Sequence, residues 1–527
     1  RYNMKNILIA IRSIFKKGRH NVMKIVSLGI GLAVGLVLIA KVYFEQSYDD
    51  FYPDRDRVYQ VWAKYQQNGG ELKDYPQTSG GIAPTMQQQI PEIETVTRYT
   101  SFGDWTFTMT DTKMKYSGRC IIADSCFFDI LPRPMLIGNA KEVLSTPMYV
   151  LISSRIAKNI GGDVIGKNFT VDNSPGRTMT IGGVFEEVPE NSHSRYDVIV
   201  SMASAGRFMW EGSPTNMLGN DRYISYVKLH KGVNPLALEE QVRTFVNSYF
   251  PPEEQQKVGL SIDFSFHKLD NLHKELPQVK RMTWILSLLA FALIFTAVMN
   301  YILIVISSIV NRSKEVAVHK CYGASENNIH GMMFGEALVH IVLSLILALL
   351  LILAFRGTVE ELLATSLDSL LLSNGSLVLL GICILVFFVS GFMPGSLYAR
   401  IPVASAFRNY RENKRIWKKA LLLVQFVATG FLVTMLVFVA RQYTFMVNDR
   451  PGYAYENLAY CGLAGVDSTS RAKILDEVMR LPGVAAATTV YQLPFEHASG
   501  NNILLPGGTQ ELFNIADLYW VGNGYLD

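Results

Sequence analysis

Charge is scarce in this chain. Only 18% of its 527 residues are Asp, Glu, Lys or Arg, while 49% are hydrophobic and the mean hydropathy is +0.18. That balance excludes a disordered chain and points to membrane spans joined to sizeable polar parts. Cysteine is scarce too. Cys120, Cys126, Cys321, Cys383 and Cys461 form no C-x-x-C pair and no Cys/His cluster, so no metal site is expected. No Ser/His/Asp pattern or paired-carboxylate motif stands out, which leaves a membrane-bound enzyme as the least favoured class. Gly161–Asn168, GGDVIGKN, comes close to the phosphate loop G-x-x-x-x-G-K-[ST]. Asn168 replaces the hydroxyl that would bind Mg²⁺, and the following FTVDN reads as a strand rather than the helix whose N-terminus must face the phosphates. The stretch is read as a turn before a β-hairpin. No catalytic residue and no cofactor is expected in this chain.

What the chain does have is five apolar runs of spanning length: Ile25–Phe44, Thr283–Ser308, Gly331–Phe355, Ser376–Tyr398 and Ala420–Ala440. About 20 residues at ~1.5 Å rise cover a ~30 Å hydrocarbon core. The first run is too long for a signal-peptide h-region and no small-residue cleavage site follows it. Basic residues flank these runs unevenly. Residues 1–24 hold Arg1, Lys5, Arg12, Lys16, Lys17, Arg19 and Lys24 with no acid, and residues 400–419 hold seven basic residues against Glu412 alone. The loop Arg356–Gly375 is net acidic. The positive-inside rule then predicts a cytoplasmic N-terminus, with 307–330 and 400–419 on the same side. Residues 45–281 and everything after about 441 fall outside, and the five spans alternate without conflict. Nucleic-acid binding is the weaker reading of the basic runs, because they abut apolar spans. Cys120 and Cys126 lie outside on this topology. Two positions so close along one strand give poor disulfide geometry, and free thiols are favoured.

Residues 45–281 read as a mixed α/β domain. Alternating Val58, Gln60 and Trp62 mark a strand leaving the membrane. Further strands are expected at Thr95–Thr110, Lys113–Ile122, Asn168–Asp172, Arg177–Phe185, Tyr196–Val200, Tyr223–His230 and Ser261–His267. Helices are expected at Ile82–Ile90, at Ser153–Ile160 with Ser153 as N-cap, and over Pro235–Phe250. The segment is long enough for one or two cores. The first and fifth spans share an architecture of basic segment, span and exit into a polar domain, which suggests a duplication. Ser468–Leu481 reads as a helix in a second outer domain of which 441–527 is the start. A complete duplication would need three more spans, so the sequence is expected to be a piece of a longer chain.

Three sets of residues are candidates for a role. In Asn311–Ser325, NRSKEVAVHKCYGAS, the charged residues Arg312, Lys314, Glu315, His319 and Lys320 accompany Val316, Val318 and Tyr322 as an apolar side. It reads either as two to three turns of amphipathic helix at the membrane face, stopped by Gly323 with Ser325 capping the next helix, or as a solvated loop. Ser27, Gly31 and Gly35 recur every four residues in the first span, and Gly391 and Gly395 repeat the spacing in the fourth. Such a face admits a close neighbour, although glycine is common in membrane helices anyway. Asn300 in the second span, and Glu336 with His340 on one face of the third, are intramembrane polar groups. They are functional by default, or a structural pair reaching the headgroups.

The stretches FEQSYDDFYPDRDRVYQV, GVFEEVPENSHSRYDVIVS, YISYVKLHKGVNPLALEEQV, SKEVAVHKCYGASENNIHGMMFGEALV and KKALLLVQFVATGFLVTMLVFVARQ together resemble ABC-transporter permeases of the MacB/FtsX type, in the duplicated form common in Bacteroidetes. Where the family loop reads like KEIGIRKVLGAS, this chain matches at Lys314, Glu315, Lys320, Gly323, Ala324 and Ser325. It departs at Ala317, His319 and Tyr322, and His319 would make one loop charge pH-dependent. The resemblance implies a MacB-like periplasmic core domain at 45–281 and an FtsX-like membrane block at 282–400. It also implies a cytoplasmic coupling loop over 309–330, on which a separate ABC ATPase subunit, itself expected as a dimer, would dock. It implies a non-catalytic permease subunit of the bacterial inner membrane that turns partner ATP hydrolysis into motion of the outer domain, by efflux or mechanotransmission. A periplasmic adaptor and an outer-membrane component are candidate partners besides lipid, and nucleic acid is not. The alternatives are a transport-free regulator of an envelope enzyme and a ligand-sensing receptor. No cytoplasmic output domain supports the receptor.

Overall fold

The structure is a computed structural model that describes residues 20–67, 70–171, 174–219, 221–372, 375–399, 402–403, 416–449, 457–463, 466–493, 500–506 and 511–525. The basic segment 1–19 and residues 404–415 of the basic linker lie outside them. The chain divides into two compact units, one formed by 1–104, 118–166 and 180–451, the other by 105–117, 167–179 and 452–527.

The first unit begins with α1 (Asn21–Gln46), and the chain then enters a sheet domain. The strands in chain order are β1 (Val58–Gln67), β2 (Lys73–Tyr75), β3 (Ile93–Met109), β4 (Lys115–Ala123), β5 (Met135–Ile137), β6 (Tyr149–Ser153), β7 (Asn168–Val171), β8 (Ser174–Phe185), β9 (Val198–Ser201), β10 (Ile224–Leu229) and β11 (Leu260–Lys268), of which β7 and parts of β3, β4 and β8 belong to the second unit. The helices among them are α2 (Ile82–Gln89), α3 (Phe127–Ile130), α4 (Ala140–Ser145), α5 (Ser154–Ile160), α6 (Glu239–Tyr249) and α7 (Pro252–Val258). The strand order is β11-β1-β10-β3-β4-β9-β6-β8-β5. Both faces of this sheet are covered, so the two-residue period of each strand feeds two separate cores. Val58 joins Tyr99, Phe127, Phe185 and Tyr226 on one side. Its neighbours Tyr59 and Val61 join Met86, Val227, Phe245 and Phe264 on the other. Ser153 caps α5 by accepting a hydrogen bond from the Ile156 amide. The helix expected over Pro235–Phe250 is divided. Its first four residues form a 3₁₀ turn, because Asn234 caps at Leu236 and Pro235 supplies no amide. In the second unit, β3 continues beside β7, with Phe107 opposite Val171. That unit also holds the helix Ser468–Met479 and the hairpin Gly500–Leu504 with Glu511–Asp517.

After the sheet domain come α8 (Pro277–Ser307), α9 (Ile309–Cys321), α10 (Glu326–Ala354), α11 (Arg356–Leu363), α12 (Leu367–Leu371), α13 (Ser376–Ala399) and α14 (Ile416–Asn448). Among the described residues five helices, α1, α8, α10, α13 and α14, are long and apolar enough to cross a membrane. The first four pack as a bundle around Leu28, Leu32, Tyr301, Ile302, Ile341 and Tyr398. The loop expected over Arg356–Gly375 instead contains α11 and α12. Ser366 caps α12, and the Glu360 carboxylate accepts the Leu367 amide. The backbone amides there are satisfied locally, which a reading of loop composition does not reveal.

Candidate functional site

The charged segment between the second and third spans is a helix, α9, of 13 residues. Its backbone stops where Gly323 takes φ 85°, and the Ala324 amide bonds back to the His319 carbonyl at 3.0 Å. Only glycine adopts that conformation without strain, so the stop is written into the residue. Ser325 then accepts the Asn328 amide and starts α10. Val316 and Ala317 are buried, while Lys314, Val318, His319, Tyr322 and Ser325 are exposed. This corrects the apolar side expected of Val316, Val318 and Tyr322. At about 100° per residue, Val316 and Val318 point nearly opposite ways, so Val318 and Tyr322 lie on the outward face beside the charges. Tyr322 is 89% exposed. Glu315 and Lys320 are half-buried. The Lys320 ammonium donates to the Ala399 carbonyl at 2.7 Å, on the last residue of α13, where a cation suits the exposed carbonyls of a helix end. Tyr398 beside it donates to the Val305 carbonyl at 3.1 Å. Lys320 thereby ties α9 to α13, and Tyr398 ties α13 to α8. The side chain of Arg312 lies outside the described residues.

The small residues of the spans sit at close approaches. A Cβ placed on Gly31 or Gly35 would run into Ala297 or Ile294 of α8. One placed on Gly391 or Gly395 would come within 2.6 Å of Phe334 or 2.7 Å of His330, both on α10. Ser27 is half-buried, and its hydroxyl bonds the Lys24 carbonyl. Gly29 makes a further close approach, to Leu347 and the Ser344 carbonyl of α10. It falls off the four-residue spacing, so the pattern did not single it out.

Within the bundle, Asn300 is exposed and takes no part in a polar cluster among the described contacts. Glu336 and His340 are buried. Glu336 Oε1 lies 3.6 Å from Lys24 Nζ, whose side chain is 1% exposed, and Lys24 also bonds Asn21 Oδ1 at 3.3 Å. His340 Nδ1 meets the Tyr301 hydroxyl at 3.2 Å, and the Ser344 hydroxyl bonds the Ile25 carbonyl at 3.1 Å. Lys24, counted above with the basic run 1–24, is thus a buried ion-pair partner, and Glu336 pairs with it inside the bundle.

A second polar cluster, which the sequence pattern does not single out, lies at the opposite end of α1. There the chain leaves the helix and turns at Asp49, which has φ 60° and is fully buried. Aspartate tolerates this left-handed conformation better than most residues. Its carboxylate accepts from the Ser192 hydroxyl at 3.0 Å, the His193 amide at 3.3 Å and His193 Nδ1 at 2.6 Å. Its own amide donates to the Asn191 carbonyl at 2.9 Å, and the Asn191 side chain donates to the Ser47 carbonyl at 2.7 Å. The other His193 nitrogen meets the hydroxyl of Tyr226 in β10. Burial pushes the hydroxyls of Tyr226 and its neighbour Tyr99 up, the latter to about 12, which keeps both protonated. Alongside, Glu45 pairs with Lys41 at 2.7 Å and with His273 Nε2 at 2.6 Å, and the His273 ring stacks on Tyr48 at 3.4 Å between centroids. Lys41 also reaches the Thr365 hydroxyl at 2.8 Å, and the Ser366 amide donates to Glu190 at 3.0 Å. The signal for this cluster was present in the two polar stretches EQSYDD and PENSHSRYD, but nothing local says that they meet.

Among the described residues no group of three or more His, Cys, Asp or Glu side chains is arranged to hold a metal ion. Cys120 is buried, which raises its thiol, and the Cys126 thiol bonds the Val96 carbonyl at 3.1 Å.

Comparison with known families matches residues 23–245 to the MacB-like periplasmic core domain and residues 287–403 to the FtsX-like permease C-terminal domain. Together the two matches take in more than half of the chain. A solved structure described as a domain of a permease protein from Porphyromonas gingivalis is 33% identical. The alignment covers 41% of this chain and 91% of that one, with a TM-score of 0.38. No curated protein matches the chain.

Proposed function

The chain belongs to the ABC-transporter permeases of the MacB/FtsX type, and from that premise we propose that it couples ATP hydrolysis by a separate ATPase subunit to motion of its sheet domain. The reading puts α9 on the cytoplasmic face of a bacterial inner membrane and the sheet domain on the other, with the N-terminus cytoplasmic. The observation that carries it is the form of α9. It is a short helix between two spans that presents Lys314, His319, Val318 and Tyr322 outward and is fastened by Lys320 to the end of α13. A push on its outward face reaches α8, α10 and α13 together. In this reading Arg312, Lys314, Glu315 and His319 supply the docking charges, Lys320 fastens the helix to α13, and Gly323 and Ser325 hold it at its angle. The chain itself contributes no catalytic group. Its work is mechanical, and efflux of a cargo is one way of using it.

The test is co-purification of the partner ATPase with the full chain. Glu315→Lys combined with Gly323→Pro reverses one charge and removes the left-handed stop, since proline cannot adopt φ 85°. The expected result is loss of the ATPase from the purified complex with unchanged membrane insertion. Retention of the partner at wild-type strength would overturn the reading.

A further inference from the structure

The sheet domain is joined to the spans by the covalent chain at two places, the exit of α1 and the entry to α8. The structure adds a third attachment that the chain path does not require. The loop after β8 brings Glu190 to the Ser366 amide of the α12 cap, and Ser366 belongs to the connection between α10 and α13. The next three residues of the same loop, Asn191, Ser192 and His193, hold Ser47 and Asp49 at the exit of α1. His193 continues inward to Tyr226 in a central strand of the sheet. From the other side, Lys41 of α1 joins Thr365, one residue before Ser366. Glu45 of α1 joins His273, just ahead of α8. The exit of α1, the entry to α8 and the α10–α13 connection therefore meet at one polar node.

We propose that residues 190–193 form the joint through which displacement of the α10–α13 pair enters the sheet domain, with Glu190 and His193 as positioning residues. The physical grounds are connectivity and burial. Asp49 is fully buried with three donors on its carboxylate, so it cannot shift without breaking bonds to the loop. A buried carboxylate left unsatisfied costs far more than an exposed one. His193 has its two ring nitrogens on Asp49 and Tyr226, so rotating it releases the sheet from the α1 exit. Glu190 touches neither Asp49 nor Tyr226 among the described contacts, yet it shares four consecutive residues of backbone with the groups that do. Movement at Ser366 is handed to Asp49 and Tyr226 through that short segment. The inference rests on the proposed function only for the origin of the force.

The experiment is hydrogen–deuterium exchange on the full chain in phosphatidylethanolamine/phosphatidylglycerol nanodiscs, without nucleotide. Glu190→Ala is read at residues 47–52 and Asp49→Asn at residues 366–371, each variant at the attachment it does not contact. The joint predicts exchange there faster by roughly fivefold, as expected when one hydrogen bond is lost from a cooperative opening unit. Ser192→Ala, which removes a single donor from Asp49, provides the same reading if Asp49→Asn does not fold. Exchange that rises only at the mutated contact would overturn the joint. Co-purification of the ATPase with these variants is expected at wild-type amounts, so failure of the joint and failure of the α9 reading are seen separately.

Discussion

Replacing Glu336 with leucine removes a carboxylate whose Oε1 sits 3.6 Å from Lys24 Nζ, with 8% and 1% of the two side chains exposed. The leucine fills much of the same volume, so the cavity contribution is small. What remains is an ammonium in the bundle without this counter-charge. Removing one partner of a buried pair costs about 3–5 kcal/mol, whereas replacing both by apolar residues of similar size is often close to neutral. Glu336→Leu is therefore expected to raise the unfolding constant by between about two and four powers of ten. Lys24→Met with Glu336→Leu should return to within about 1 kcal/mol of the parent. The assay is reversible unfolding of the full chain in mixed dodecylmaltoside and dodecylsulfate micelles, followed by near-ultraviolet circular dichroism. A cost below about 1 kcal/mol for the single change, or a double variant that costs the sum of two singles, refutes the reasoning. Either result would mean that the charges are reached by water or that Lys24 can leave the bundle.

Two further outcomes are expected. Gly31→Leu or Gly35→Leu should destabilise the bundle by about 1–3 kcal/mol through overpacking against α8. Gly430→Leu in α14, where a Cβ meets nothing within 4 Å, should leave the same micelle unfolding curve unchanged. In intact spheroplasts a membrane-impermeant maleimide should label the exposed Cys461 but reach the exposed Cys321 only after permeabilisation. The buried Cys120 should stay unlabelled in both. Labelling of Cys321 in sealed cells would reverse the proposed orientation.

The spans were legible because an unbroken apolar run of about 20 residues matches the thickness of a bilayer and little else. The first strand was legible because Val58, Gln60 and Trp62 recur at the period of two that a pleat demands. The stop at Gly323 and the cap at Ser325 were legible as well, since each follows from a residue's own backbone or side chain. What stayed hidden depends on groups far apart along the chain. Lys24 and Glu336 are 312 positions apart, so Lys24 read as one more basic residue beside a membrane. Asp49 and His193 are 144 positions apart. Each looked like an ordinary polar residue of a turn until the sheet brought the two loops together. The helices α11 and α12 escaped because Glu360 and Ser366 satisfy nearby amides, and because Val359, Leu363, Leu367 and Leu370 give each short helix too few apolar positions toward the bundle to set a period.

The sheet's two-sided burial constrains how its sequence can drift. A one-residue insertion in β1 or β10 would reverse the facing of every residue beyond it. Val58 and Tyr226 would trade places with the residues that fill the opposite core, and both cores would be mispacked at once. Substitutions of similar volume can accumulate strand by strand, but length can change only in the turns. Such a domain is expected to diversify at its loops while its strand lengths stay nearly fixed.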